Sequence, residues 1–210
     1  MVSLDSPSRA GSLALVGGEL ALDFANTSSG RGTSGHLEHL RRAEDVADWA
    51  GHARVILPDD ADWLRGRVGG DGALAEDLLG SALDLREHIY VIASELAAGR
   101  LAPQPSIDSL TKAHARCVGK AHLKPFERQF FWTWSPRQDP VEAALGPVAL
   151  SAMTTLMQAD LTRVKQCQGE KCGWLFFDTT KNKSRRWCEM EVCGNRAKQK
   201  RLTQRALKCD

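Results

Sequence analysis

Cys167-Gln-Gly-Glu-Lys-Cys172 and, further on, Cys188-Glu-Met-Glu-Val-Cys193 are the stretches that decide the C-terminal fold. Their spacing is C-x4-C-x15-C-x4-C. Two short-spaced pairs separated in this way let each pair supply half of a tetrahedron, while the chain between them folds as a hairpin. Four thiolates favour zinc, and a closed four-coordinate site favours a structural role. All six histidines lie at or before His122, so none competes as a nearby ligand. The expectation is one structural Zn2+ held by Cys167, Cys172, Cys188 and Cys193. A module of this size buries too little apolar surface to be stable alone. Metal binding, worth about 10–16 kcal/mol in zinc-finger peptides at neutral pH, supplies what the core lacks. The alternatives are unrelated buried thiols or a redox pair. Cys117 and Cys209 read as ordinary thiols.

Between the two pairs, Trp174 to Phe177 is strand-like, Asp178 to Ser184 is polar turn material, and Arg185 to Cys188 returns. From Gly194 the pattern is helical, with Ala197, Leu202 and Ala206 available to pack inward. A knuckle, a hairpin and a helix starting at the last ligand outline a treble-clef-like finger over residues 161–210.

Upstream, residues 1–160 read as a mainly helical body with a small β-sheet, so the whole chain is α+β. Leu13 to Val16 and Glu19 to Phe24 are expected as two short strands around the Gly17-Gly18 turn. Thr27 to Gly35 is a loop of Ser, Gly and Thr. Val46, Trp49, Ala50 and Ala53 have the 3-4 spacing of a buried helix stripe. Residues 73–98 form the longest helical candidate, and 107–118 another. Phe126 to Trp134 is an aromatic strand closed by Pro136, and Asp139-Pro140 opens a helix expected to reach about Lys165.

The 210 residues are 42% hydrophobic and 26% charged, the proportions of a soluble globular protein. No apolar run approaches the ~20 residues needed to span a bilayer, and Met1 to Ala10 lacks the layout of a secretory signal. A cytoplasmic location with no membrane partner is expected. The net charge of +2 conceals an asymmetry. Residues 160–210 hold 13 Lys+Arg and 6 Asp+Glu, a net of +7, which leaves residues 1–159 at −5. An acidic body with a basic tail suits a polyanionic partner, and equally a solvated surface of uneven charge.

The string Cys172-Gly-Trp-Leu-Phe-Phe-Asp178, then Asn182-Lys-Ser-Arg-Arg-Trp-Cys188, then Cys193-Gly-Asn-Arg-Ala-Lys198 resembles the CGNR zinc finger. Upstream, Gly17-Gly-Glu-Leu-Ala-Leu-Asp-Phe-Ala-Asn-Thr27 is similar to the start of the ABATE domain that usually precedes this finger. The pairing implies a bacterial protein of the putative stress-induced transcription regulator type.

DNA contact is then expected from Lys181, Lys183, Arg185 and Arg186 on the hairpin, and from Arg196, Lys198, Lys200, Arg201 and Arg205 on the helix, with Lys208 near its end. Asn195 and Arg196 fit a structural role as well as a binding one. In this reading the finger grips DNA while the body senses a signal or forms a homodimer. The alternative is a protein- or RNA-interaction module without sequence-specific DNA binding. A third class, an enzyme, finds no G-x-S-x-G, P-loop or H-E-x-x-H in the chain. Asp23, Asn26 and Thr27 stand where ligand groups often occur, although turn-capping by short polar side chains accounts for them too.

Overall fold

The computed structural model describes residues 9–206, with side chains through residue 204. Lys208 and Cys209 lie outside the described residues, as does the side chain of Arg205. The body is built from six helices: α1 (Leu20–Ala25), α2 (Ala43–His52), α3 (Pro58–Gly69), α4 (Gly72–Ala97), α5 (Gln104–Val118) and α6 (Pro140–Gln158). Two antiparallel strand pairs accompany them, β1 (Ser28–Ser29) with β2 (Leu37–Glu38) and β3 (His122–Phe126) with β4 (Gln129–Thr133). A third pair, β5 (Val164–Gln166) with β6 (Leu175–Phe177), opens the C-terminal module, which ends in α7 (Asn195–Ala206).

The apolar stripes read from the sequence meet in one core. Phe24 of α1 packs on Trp49 of α2 with ring centroids 4.8 Å apart, and Leu64, Leu78, Leu85, Leu110 and Val148 close around them. In α6, Ala143, Ala144, Ala149 and Ala152 are buried, so small side chains let this helix lie close against α1 and α5. Leu175 of β6 belongs to the same core and is fully buried. Body and finger are thus joined by apolar packing, not merely by chain.

The buried arginine of α4 is fully paired. Arg86 of α4, 3% exposed, makes a two-pronged contact with Glu38 at 2.5 and 2.7 Å and a further bond to Glu87 at 2.9 Å. Glu87 in turn holds Arg31, whose guanidinium lies 4.0 Å over the Tyr90 ring. A buried guanidinium left unpaired is strongly destabilising, so this network fixes the Thr27 to Gly35 loop on α4.

Several expectations are corrected. The segment after Gly17-Gly18 is a helix, not a strand. Gly18 does take a positive φ of 78°, but Asp23 Oδ1 reaches back to accept from Gly17 N–H at 2.7 Å and closes a helical turn. Ala21, Leu22, Phe24 and Ala25 are all buried, which strand alternation does not allow. Leu13 to Phe24 therefore contributes no hairpin, and among the described residues the sheet content is three separate two-stranded pairs; Phe126 to Trp134, expected as one strand, turns at Glu127-Arg128 between β3 and β4. The α6 helix stops at Gln158 because the Asp160 side chain accepts from Thr162 N–H at 3.2 Å and starts a new turn. β6 pairs with β5, ahead of the knuckle, whereas Arg185 to Cys188 returns without strand pairing.

Candidate metal centre and basic cleft

The β5–β6 register, Val164 with Phe177 and Gln166 with Leu175, leaves Cys167 to Cys172 as the tip of a hairpin. Cys167 N–H donates to Trp174 C=O at 2.8 Å and Cys172 N–H to Gly169 C=O at 3.0 Å, turning both sulfurs inward. The second pair arrives from the segment that leads into α7. Cys188 precedes a π-helical turn, Met190–Gly194, that carries Cys193, and Asn195 Nδ2 donates to Glu191 C=O at 2.9 Å across that turn. Asn195 thus ties off a free carbonyl where the turn becomes α-helix.

The four sulfurs lie within 4.8 Å of one another, with Cys172–Cys188 at 3.6 Å and Cys188–Cys193 at 3.7 Å. Tetrahedral zinc with Zn–S bonds of about 2.3 Å requires S···S separations of about 3.8 Å, and a disulfide about 2.05 Å. The donor set and spacing therefore fit one zinc ion. Electrostatics agrees. Hydrogen bonds from Cys172 and Cys188 pull the Cys167 thiol down to about 2. The Cys172 thiol, bonded to Cys167, is pushed up to about 12, and the same neighbour raises Cys188. Burial, then the charge on Cys167, raises Cys193. Four thiols packed this closely oppose one another's ionisation, and a divalent cation stabilises all four as thiolates. Among the described residues this is the one cluster of three or more His, Cys, Asp or Glu able to hold a metal. Cys117 is buried on α5, with its thiol pushed up to about 11 by burial, away from the cluster.

The expected basic residues separate into two groups. Arg185 serves the scaffold: its guanidinium donates to the carbonyls of Trp187, Cys188 and Val16 and lies 4.4 Å over the Phe176 ring. Lys183 is tied to Asp160 at 2.7 Å and to Thr162 Oγ1 at 2.6 Å. Lys181 and Lys198 are not buried and lie outside the cleft described next. Arg186, Arg196, Lys200 and Arg201 all line a cleft of about 1150 Å³ formed by α7, the knuckle, the β1–β2 region and the segment from Arg9 to Ala14. Arg9 and Lys171 add two further cations, neither of them expected, against the acidic Glu170 and Glu189. Lys200 is paired with Glu170, and Arg186 Nε donates to Gln168 Oε1 at 2.8 Å. Trp174 and Trp187 supply aromatic wall.

Asp23, Asn26 and Thr27 find partners inside the protein. Asn26, 2% exposed, grips the Leu175 peptide from both sides: Nδ2 donates to Leu175 C=O at 2.9 Å, and Leu175 N–H donates to Oδ1 at 2.8 Å. Thr27 Oγ1 donates to Phe24 C=O at 2.7 Å. Asp23 holds the Gly17 turn, and burial raises its carboxyl to about 6. None of the three lines the basic cleft. Sequence reading also missed the contacts that seat the knuckle on the body. Gly30 N–H donates to Cys172 C=O at 2.8 Å, and Trp174 Nε1 donates to Ser29 Oγ at 2.9 Å. Nothing in the Ser/Gly loop marks these pairings in advance.

Comparison with known families places both halves. The ABATE model, described as a putative stress-induced transcription regulator, matches residues 18–159, and the CGNR zinc finger model matches residues 163–206. No curated protein matches the chain.

Proposed function

The chain belongs to the ABATE family of putative stress-induced transcription regulators, and from that premise we propose that it binds DNA through the basic cleft beside its zinc centre. The CGNR finger at residues 163–206 supplies the scaffold, and the metal has no chemistry to perform beyond holding it. The observation carrying this reading is the convergence of Lys171, Arg186, Arg196 and Arg201 on one cleft with two indole rings. Arg196 has no hydrogen bond or ion pair among the described residues, and Arg201 bonds only the Ala197 carbonyl of its own helix. Guanidinium groups without acidic partners suit phosphate. A 12-residue helix such as α7 is about 18 Å long and fits a major groove about 12 Å wide. In this proposal residues 161–210 meet nucleic acid, residues 1–160 sense a signal or dimerise, and the protein works in the cytoplasm. The family description is that of a regulator rather than an enzyme. Among the described residues no helix is long and apolar enough to cross a membrane.

Four phosphate contacts give a log–log salt slope of about −3.6, and each lost cation removes about 0.9. Fluorescence anisotropy on duplex pools between about 50 and 300 mM salt tests this directly. Arg196→Ala and Arg201→Ala are expected to flatten the slope, while Lys181→Ala leaves it unchanged. Salt-insensitive binding sinks the proposal, and so does equal displacement by single-stranded RNA, which favours the alternative of an RNA module.

A further inference from the structure

Strands β3 and β4 form an arm. Their only substantial contacts with another secondary-structure element are with each other. The register Leu123–Trp132 and Pro125–Phe130 gives one face made wholly of apolar side chains, and Phe126 and Phe131 meet at 6.2 Å on the other. Phe126 and Phe130 are each 67% exposed, Leu123 54%, Phe131 47% and Trp132 42%. With roughly 150–250 Å² per aromatic side chain, Leu123, Phe130 and Trp132 leave about 300 Å² of apolar surface in water on one face, and Phe126 and Phe131 about 200 Å² on the other. The first reaches the lower end of the largest patches found on monomers, about 300–600 Å².

The arm has a fixed root. Trp134 Nε1 donates to Cys117 C=O at 2.7 Å, and its ring lies so close to Gly146 that a Cβ there would meet it at 2.5 Å. Its two edges differ. In a two-residue hairpin the pair flanking the turn, Phe126 with Gln129, exchanges both hydrogen bonds. Peptide groups of Pro125, Phe130, Leu123 and Trp132 therefore point outward. On β3 the outward row is broken by Pro125, which has no N–H. On β4 it is intact, and Gln129 to Thr133 contains no charge to repel a like strand.

From this asymmetry we propose that the occupant is a second copy of the chain, with β4 of one protomer antiparallel to β4 of the other. Phe130 then pairs with Trp132 of the second copy and the reverse, around a two-fold axis at Phe131. The result is a continuous four-stranded sheet whose apolar face is doubled. A self-complementary edge is what an isologous dimer needs. The inference is independent of nucleic-acid binding.

Sedimentation equilibrium of the full zinc-loaded chain tests it. The wild type is expected to be a dimer at micromolar concentration. Phe130→Glu and Trp132→Glu are each expected to weaken association by about 30-fold or more, the effect of losing a central aromatic anchor, with unchanged circular dichroism and zinc content. With oxidised glutathione added as the two-electron acceptor, Phe131→Cys is expected to form an interchain disulfide, because non-hydrogen-bonded pairs bring Cα atoms to about 4.5 Å. That cross-link reads the same contact without introducing a charge, so it decides the matter if a charged variant folds poorly. A wild type that stays monomeric at about 100-fold higher concentration, a range that spans the weak end of specific association, overturns the proposal. So does a dimer that both charged variants leave intact, or a Phe131→Cys variant that forms no cross-link.

Discussion

Two hairpins in this chain carry opposite solutions to one problem. A two-stranded hairpin is at best marginally stable in water unless something covers its faces. The β5–β6 hairpin pairs only three residues on each strand, yet Val164, Leu175 and Phe176 are buried. Its tip supplies two of the four clustered cysteines, and its second strand is gripped by Asn26. The β3–β4 hairpin pairs five residues on each strand and leaves its aromatics in solvent. Ladder length therefore does not decide which hairpin is secure. Covering does, by metal and body in one case and, along the β4 edge, by a second chain in the proposed dimer of the other.

The largest expected effect comes from removing the metal side of that contrast. A chelator, or Cys188→Ser, is expected to release the single zinc and unfold the knuckle and α7. This forfeits a term on the order of the 10–16 kcal/mol seen in zinc-finger peptides. The core around Phe24, Trp49 and Leu78 does not involve the four clustered cysteines and should persist. Native-state hydrogen exchange separates the two regions: amides of residues 164–177 should lose protection while those of α4 keep theirs. Retained protection at 164–177 without zinc would break the comparison, since the body alone would then hold the hairpin.

A smaller effect sharpens the other half of the anchoring. Asn26→Ala removes both bonds to the Leu175 peptide and strands a buried N–H and C=O. The expected cost is about 2–6 kcal/mol in denaturant unfolding of the zinc-loaded chain, given about 1–3 kcal/mol for each of the two unsatisfied buried groups. Zinc stoichiometry should remain one. A cost below about 0.5 kcal/mol, the range of ordinary surface substitutions, would show that the metal alone secures β6.

The same contrast explains what was legible beforehand. Four cysteines announce themselves because a tetrahedral site requires particular atoms at particular spacings, and the structure brings all four together. The long helix α4 was readable from its sustained apolar side, and the start of α6 from Asp139-Pro140. Leu20-Ala-Leu-Asp-Phe was not, because over so few residues alternate positions satisfy a strand and a short helix equally; burial of Ala21 and Ala25 decides it. The partner of β6 was hidden in Val164-Lys-Gln, too short to show any period. Basic residues are counted easily but their commitments are not. Arg185 is occupied by three carbonyls and the Phe176 ring, whereas Arg196 faces the cleft. Asn26 was noticed for its position near a turn; its partner lies 149 residues away, a distance no local pattern spans.

The smallest expected effect is at the uncovered hairpin, and its smallness is the point. Phe130→Ser deletes a large aromatic side chain, a change that costs about 3–5 kcal/mol at a buried site. Here the ring is 67% exposed and lies on an arm whose substantial element contacts are confined to its own two strands. At concentrations low enough to keep the chain monomeric, the stability change should fall within about 0.5 kcal/mol, as for surface substitutions. Leu175→Ala, at the fully buried position in the other hairpin, should cost about 2–5 kcal/mol under the same conditions. Repeating the Phe130→Ser measurement at rising protein concentration adds the decisive feature. If a second copy covers the arm, the wild-type midpoint climbs with concentration and the variant's does not, because association stabilises only the chain that can associate. Parallel curves for the two proteins would mean that the exposed aromatics contribute nothing to assembly. The contrast between the hairpins would then be one of burial alone.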